Sequence, residues 1–105
     1  MKIDFNQELR TIAGTPLKDP DGKPITLKWA CTEALLAAYP KEEATGADKI
    51  MRFKLAHLIE PGGVHDLKSE QVVELKKLAD KWTSMIGSGT LIYGQIIEML
   101  EPTSE

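Results

Sequence analysis

The sequence predicts a mainly α domain: four helices with a short N-terminal β-hairpin. Three features lead to this. Four segments after residue 26 repeat their apolar residues at helical spacing. The start of the chain, Lys2-Ile3-Asp4-Phe5-Asn6, alternates polar and apolar like a half-buried strand. Between the two lies a run punctuated by Pro, Gly and Asp, the residues of tight turns. A single domain over 1–105 is expected, with a strand and hairpin region at 1–26, a helical core at 27–100 and a tail at 101–105.

Leu9 and Ile12 follow the first strand with no clear period. Asp19-Pro20-Asp21-Gly22 then fits a type I turn. Asp at the first position can accept from the backbone, Pro presets φ at the second, and Gly permits positive φ at the fourth. Leu17 and Ile25 flank the turn, which reads as a short hairpin. Pro16 and Pro24 each remove a ladder donor, so its strands should be short or lie at an edge.

The first helix is drawn by Leu27, Ala30, Cys31, Ala34, Leu35 and Ala38, which share one face. Thr26 is the expected N-cap and Pro40 the stop. Thr45 with Asp48 resembles a capping box, opening a second helix over 47–59. Ala47, Ile50, Met51, Leu55 and Leu58 line one of its faces. Phe53, Ala56 and Ile59 broaden that surface, so this helix is expected at the centre. Pro61-Gly62-Gly63 ends it, and Val64-His65-Asp66-Leu67 reads as a brief extended link. A third helix over 69–83 carries Val72, Leu75, Leu78, Ala79 and Trp82, with Lys76 and Asp80 as an i,i+4 pair. Gly87-Ser88-Gly89-Thr90 breaks the chain between a C-cap and the next N-cap. A fourth helix over 91–100 follows, where Gly94 suggests a close helix crossing. Pro102 to Glu105 reads as a frayed tail.

A chain of 105 residues buries roughly 65% of its unfolded surface, enough for one core. The lone Cys31 permits no intrachain disulfide. No apolar leader or membrane-length stretch is present, so the cytoplasm is the default and no membrane association is expected. The net charge is −3, and only two of the 13 basic residues, Arg10 and Arg52, are arginine. That balance makes nucleic acid an unfavoured partner.

The residues that could carry chemistry are few. Cys31, His57 and His65 lack the paired spacing of zinc ligands. Asp19 and Asp21 fail the calcium-loop pattern, because Lys23, Pro24 and Ala30 stand where it needs a ligand, Gly and Glu. The Gly87–Thr90 run lacks the preceding strand and following lysine of a phosphate loop. No nucleophile signature is present. No catalytic residue, metal or cofactor is therefore assigned, and the chain is not expected to be an enzyme.

Trp29, Leu36 and Tyr39 lie off the main stripe of the first helix, and Trp29 and Leu36 share a face. Either that helix is buried on two sides, the commoner outcome, or an apolar patch is left for a partner. Met85 and Ile86 could extend such a patch. These five residues are the candidate surface for a protein partner or self-association. The alternative is a regulatory nucleic-acid binder using Lys76, Lys77 and Lys81 of the third helix, where interleaved acids point instead to a solvated face.

Four segments carry a further likeness. They are Lys2-Ile3-Asp4-Phe5-Asn6-Gln7, Asp19-Pro20-Asp21-Gly22-Lys23-Pro24-Ile25-Thr26-Leu27, Lys49-Ile50-Met51-Arg52-Phe53-Lys54-Leu55-Ala56 and Gly94-Gln95-Ile96-Ile97-Glu98-Met99-Leu100. In this order the chain resembles small uncharacterised proteins encoded by tailed phages and prophages of proteobacteria. The resemblance implies a viral or prophage setting, in the host cytoplasm, and brings no catalytic residues with it. The expected function is a non-enzymatic interaction module, as an assembly factor or minor structural component.

Overall fold

A computed structural model describes residues 1–87 and 89–101. The elements run β1 (Lys2–Asp4), α1 (Leu27–Leu36), α2 (Gly46–Ile59), β2 (Val64–Asp66), α3 (Ser69–Ile86) and α4 (Gly89–Leu100). The mainly α class with four helices and a short antiparallel sheet is as predicted. The second strand is the segment read as an extended link. β1 pairs with β2 in the register Lys2↔Asp66, Ile3↔His65, Asp4↔Val64. Alternation buries Ile3 and leaves Lys2 and Asp4 exposed. The Met1 amino group closes the pair, donating to Asp66 Oδ1 at 2.7 Å and to the Leu67 carbonyl at 2.9 Å.

Residues 7–27 form a small knot of turns. Leu9 N–H donates to the Ile25 carbonyl, Ile25 N–H to Leu17, and Leu17 N–H back to Leu9, each at 2.8–2.9 Å. This ring rests on an eight-residue repeat, Leu9-Arg10-Thr11-Ile12-Ala13-Gly14-Thr15-Pro16 followed by Leu17-Lys18-Asp19-Pro20-Asp21-Gly22-Lys23-Pro24. In each copy the third residue accepts from the glycine N–H and donates to the seventh residue's carbonyl. Gly14 and Gly22 sit at φ +92 and +83, where a side chain would be strained. The prolines occupy the isolated bridges Arg10↔Pro16 and Lys18↔Pro24. The backbone bonds fall on the residues flanking each bridge, so the missing N–H forfeits nothing. The expected turn is thus present, with Asp19 Oδ1 accepting from Asp21 N–H and Lys23 N–H, both at 2.9 Å. Gln95 of α4 holds the unit down through both polar groups of the Arg10 backbone, each at 2.7 Å.

The core gathers Phe5 from just after β1, Leu9 from this unit, Leu27 from α1, Leu55 and Ile59 from α2, Leu75 and Leu78 from α3, and Ile96 and Leu100 from α4. The central helix is α1, not α2: α1 packs against both α2 and α3, and α3 against α4. Fully buried Ala30 and nearly buried Ala34 let those neighbours approach α1. The helix caps at Thr26 and at the Thr45–Asp48 box form as expected.

Four other expectations are corrected. α1 ends at Leu36, short of Ala38, because extended Ala37 carries Tyr39 back over the helix end. There the Tyr39 hydroxyl donates to the otherwise free Ala34 carbonyl. Gly94 faces open space and marks no helix crossing. Lys76 pairs with Glu101 at 2.5 Å, not with Asp80. α3 also runs one turn further than expected, to Ile86, before Gly87 ends it at φ +74. Ser88 of the expected break and the tail at 102–105 lie outside the described residues.

Candidate interaction face

The apolar residues off the α1 stripe are exposed. Trp29 is 45% and Leu36 58% accessible. Buried Leu27, Ala30, Cys31, Ala34 and Leu35 use up the face that meets α2 and α3, so residues opposite them stay largely exposed. Trp29 leans edge-on against Trp82 of α3, with ring centroids 5.6 Å apart. Leu36 shares a shallow hollow of about 180 Å³ with Phe53 and His57 of α2.

Tyr39 lies elsewhere. Its ring is half-buried, Lys81 Nζ stands 5.8 Å from the ring centroid, and burial pushes the phenol up to about 12. It lines a second hollow of about 370 Å³ with Met85. Ile86 is exposed at the end of α3, outside both hollows. The five candidate residues therefore divide between Trp29 and Leu36 on one helix face and Tyr39 and Met85 in a separate groove, with Ile86 apart from both.

The larger display is on α2. Arg52, Leu55, Ala56 and Ile59 turn inward, and the outward side carries Ile50, Phe53 and Leu58 at 57%, 62% and 43% exposure. A groove of about 610 Å³ runs beside it, lined by Ala47, Ile50, Met51, Lys54, Leu55, Leu58 and Gln71. Two stripes were available to this helix. The sequence reading put Ala47, Ile50, Met51, Leu55 and Leu58 on the packed face, broadened by Phe53, Ala56 and Ile59. The chain buries 52-55-56-59 instead, with an arginine at its head.

Arg52 explains that choice. Its side chain is 6% exposed and sits among carboxylates that are 11% and 12% exposed. Nη1 and Nη2 grip both oxygens of Glu42 at 2.7 and 2.8 Å, and Nε donates to Glu74 at 2.9 Å. Lys81 donates to Glu42 at 2.6 Å, and Lys77 stands 3.5 Å from Glu74. A bidentate guanidinium clamp is the strong form of this pairing. It pins the α1–α2 loop, α2 and α3 together. Arg52 first, then Lys81, holds the Glu42 carboxyl down at about 2. Sequence reasoning missed the cluster because Glu42 and Glu74 lie ten and 22 residues from Arg52. The one available sign was a lone arginine heading an otherwise apolar stripe.

This cluster also decides where the three lysines of the nucleic-acid alternative stand. Lys76, Lys77 and Lys81 each have a carboxylate partner, at 2.5, 3.5 and 2.6 Å. Their charge is offset locally, which leaves a phosphate backbone little to neutralise.

Cys31 is a packed core thiol, 2% exposed and pushed up to about 12 by burial. His57 is exposed beside Phe53, and the His65 ring contacts the Gly62 carbonyl at 2.9 Å. Among the described residues no three His, Cys, Asp or Glu side chains converge as metal ligands. No helix among them is long and apolar enough to cross a membrane. Comparison with protein-family models, curated proteins and solved structures finds no match to this chain.

Proposed function

We propose that this chain is a non-enzymatic protein-interaction module, acting as an assembly factor or minor structural component of a tailed phage or prophage. The phage setting rests on the resemblance of the four quoted segments. The interaction role rests on one observation: Leu36, Ile50 and Phe53 are each more than half exposed on helices whose opposite faces are packed into the core. Large apolar side chains grouped on a well-anchored surface mark contact sites. The lysine pairings above weigh against the nucleic-acid reading.

The test is pairwise co-purification with each protein encoded beside this one in its genome. Wild type is expected to retain at least one of them. Leu36→Ala should weaken capture without changing thermal stability, since the side chain has little packing to lose. Trp29→Ala is a second probe, with some stability lost through the Trp82 contact. A wild-type protein that stays monomeric in sedimentation and retains none of its neighbours defeats the proposal. So does turnover of any substrate by the pure protein.

A further inference from the structure

We infer that the segment between α1 and α2 is an autoinhibitory strap. Its Glu42 is a built-in occupant of a carboxylate site formed by Arg52 and Lys81, and an acidic side chain of a partner takes that site when the strap swings away. The partner comes from the interaction reading; the site itself does not depend on it.

The convergence of donors is the first support. Three charged N–H donors meet on one carboxylate: Arg52 Nη1 and Nη2 at 2.7 and 2.8 Å, and Lys81 Nζ at 2.6 Å. A planar fork combined with a point charge holds a two-oxygen anion in one orientation. The donors stand on α2 and α3, whereas the group they hold is on the irregular connection. The site is anchored and its occupant is tethered.

The tether is loose. Among the described residues, the backbone of 40–44 makes a single hydrogen bond, from the Glu42 N–H to the Tyr39 carbonyl at 3.3 Å. Tyr39, through its hydroxyl, and Thr45, through its capping box, fix the two ends. Between them Lys41 sits at φ +65, the one described non-glycine residue with a positive φ. The turn over 39–42 needs that conformation at its third position, where glycine or asparagine is favoured and lysine is strained. Swinging Glu42 outward lets Lys41 relax. Backbone strain of this kind collects at switch segments.

A way in exists beside the strap. The hollow of about 370 Å³ is lined by Glu42 and Lys81 themselves, together with Tyr39 and Met85. Lys41 and Asp80, both exposed, also line it and offset each other. Once Glu42 leaves, the three cations Arg52, Lys77 and Lys81 face one carboxylate, Glu74, and the excess positive charge draws in an anion. In the closed state Glu42 fills the site at the high effective concentration of a tethered ligand. A partner therefore displaces it only by adding further contacts, for which Tyr39 and Met85 offer the surface.

The test titrates acetate against wild type, Glu42→Ala and Arg52→Met. Chloride at equal ionic strength is the blank, and NMR shifts of the amides and of the Arg52 side chain are the readout. Glu42→Ala should bind acetate saturably, about tenfold or more tighter than wild type. Acetate should also restore part of the melting temperature that this variant loses. Wild type should shift only at 40–44 and at Arg52, and Arg52→Met should not respond at 40–44. Glu42→Gln keeps the volume, loses the charge and should fall between wild type and Glu42→Ala, which covers the case of an unfolded alanine variant. The capped tripeptide acetyl-Ala-Glu-Ala-amide should compete with acetate, and its glutamine counterpart should not.

No saturable response from Glu42→Ala or Glu42→Gln overturns the inference. So does equal acetate affinity in wild type and Glu42→Ala, which places acetate elsewhere on the molecule. Phosphate binding more tightly than acetate, or a glutamate tripeptide that fails to compete, overturns an acidic side chain as the ligand. If acetate binds as expected while no neighbouring protein is retained in co-purification, the carboxylate site stands and the interaction reading fails.

Discussion

Arg52→Met isolates what the ion cluster contributes. Methionine keeps most of the aliphatic stem and removes the guanidinium. Glu42 and Glu74, 11% and 12% exposed, then lose their shared cation where water reaches them poorly. Breaking a buried pair by deleting one partner costs about 3–5 kcal/mol. Lys81 at 2.6 Å and Lys77 at 3.5 Å remain beside the two carboxylates. They keep the loss near the lower end, about 3 kcal/mol. A domain has about 5–15 kcal/mol in total, so the variant should still fold. Urea unfolding followed by tryptophan fluorescence reads the change through the Trp29–Trp82 pair. With a slope of about 1.5 kcal/mol per molar, the midpoint should fall by about 2 M. Adding Glu42→Gln removes one of the two orphaned charges and should recover about 1–2 kcal/mol. A single-variant midpoint within about 0.5 M of wild type refutes the reasoning, as does a double variant less stable than the single.

The same cluster makes stability acid-sensitive. Glu42 is held near 2 against an ordinary value of 4.5, so its contribution is complete above about pH 5 and is lost as pH falls toward 2. It should amount to about 2–3 kcal/mol, and Arg52→Met should flatten the decline of the urea midpoint over that range. Asp48, lowered by the Thr45 backbone amide, and Asp66, lowered by the Met1 amino group, act in the same direction. Gln95→Ala frees both polar groups of the Arg10 backbone. It should cost about 1–2 kcal/mol and speed exchange of the Arg10 amide, whereas unchanged protection would mean that Gln95 does not anchor the turn unit. Cys31, near 12 and 2% exposed, should react with a disulfide reagent about a thousandfold slower than free cysteine until urea opens the core. Rapid labelling of the native protein would contradict that burial.

How much was readable in the chain depended on the range of the forces involved. Thr26 and the Thr45–Asp48 box act within three residues, and both caps are where the sequence put them. The Asp19 turn is equally local. The pairing of β1 with residues 64–66 is not, since nothing in Val64-His65-Asp66 names a strand over 60 residues away. The turn unit was legible in principle. Its eight-residue repeat is written in the sequence, but it matches neither the helical nor the strand period, so Leu9 looked aperiodic. The α1 end was missed because the pre-proline effect explains only Tyr39, whereas the Tyr39 hydroxyl capping Ala34 is a tertiary event. Of the site, the off-stripe residues Trp29 and Leu36 were visible. Their exposure was not, because periodicity shows that a helix has two apolar faces without showing which one is covered.

That ambiguity is sharpest in α2 and bears on function. Burying 47-50-51-58 would place Ile50, Met51 and Leu58 in the core and turn Arg52 to water. The observed packing does the reverse, holding the helix by Leu55, Ala56, Ile59 and a satisfied ion cluster. Ion clusters of this kind add little net stability over an apolar replacement, yet they penalise any rotation of the helix that would strand a charge. Arg52 therefore serves as a register pin. Turning α2 by half a revolution to hide Phe53 and Ile50 would pull the guanidinium away from Glu42 and Glu74. The apolar face stays outward because the charged one is locked inward, and a face kept exposed in this way is available to a partner.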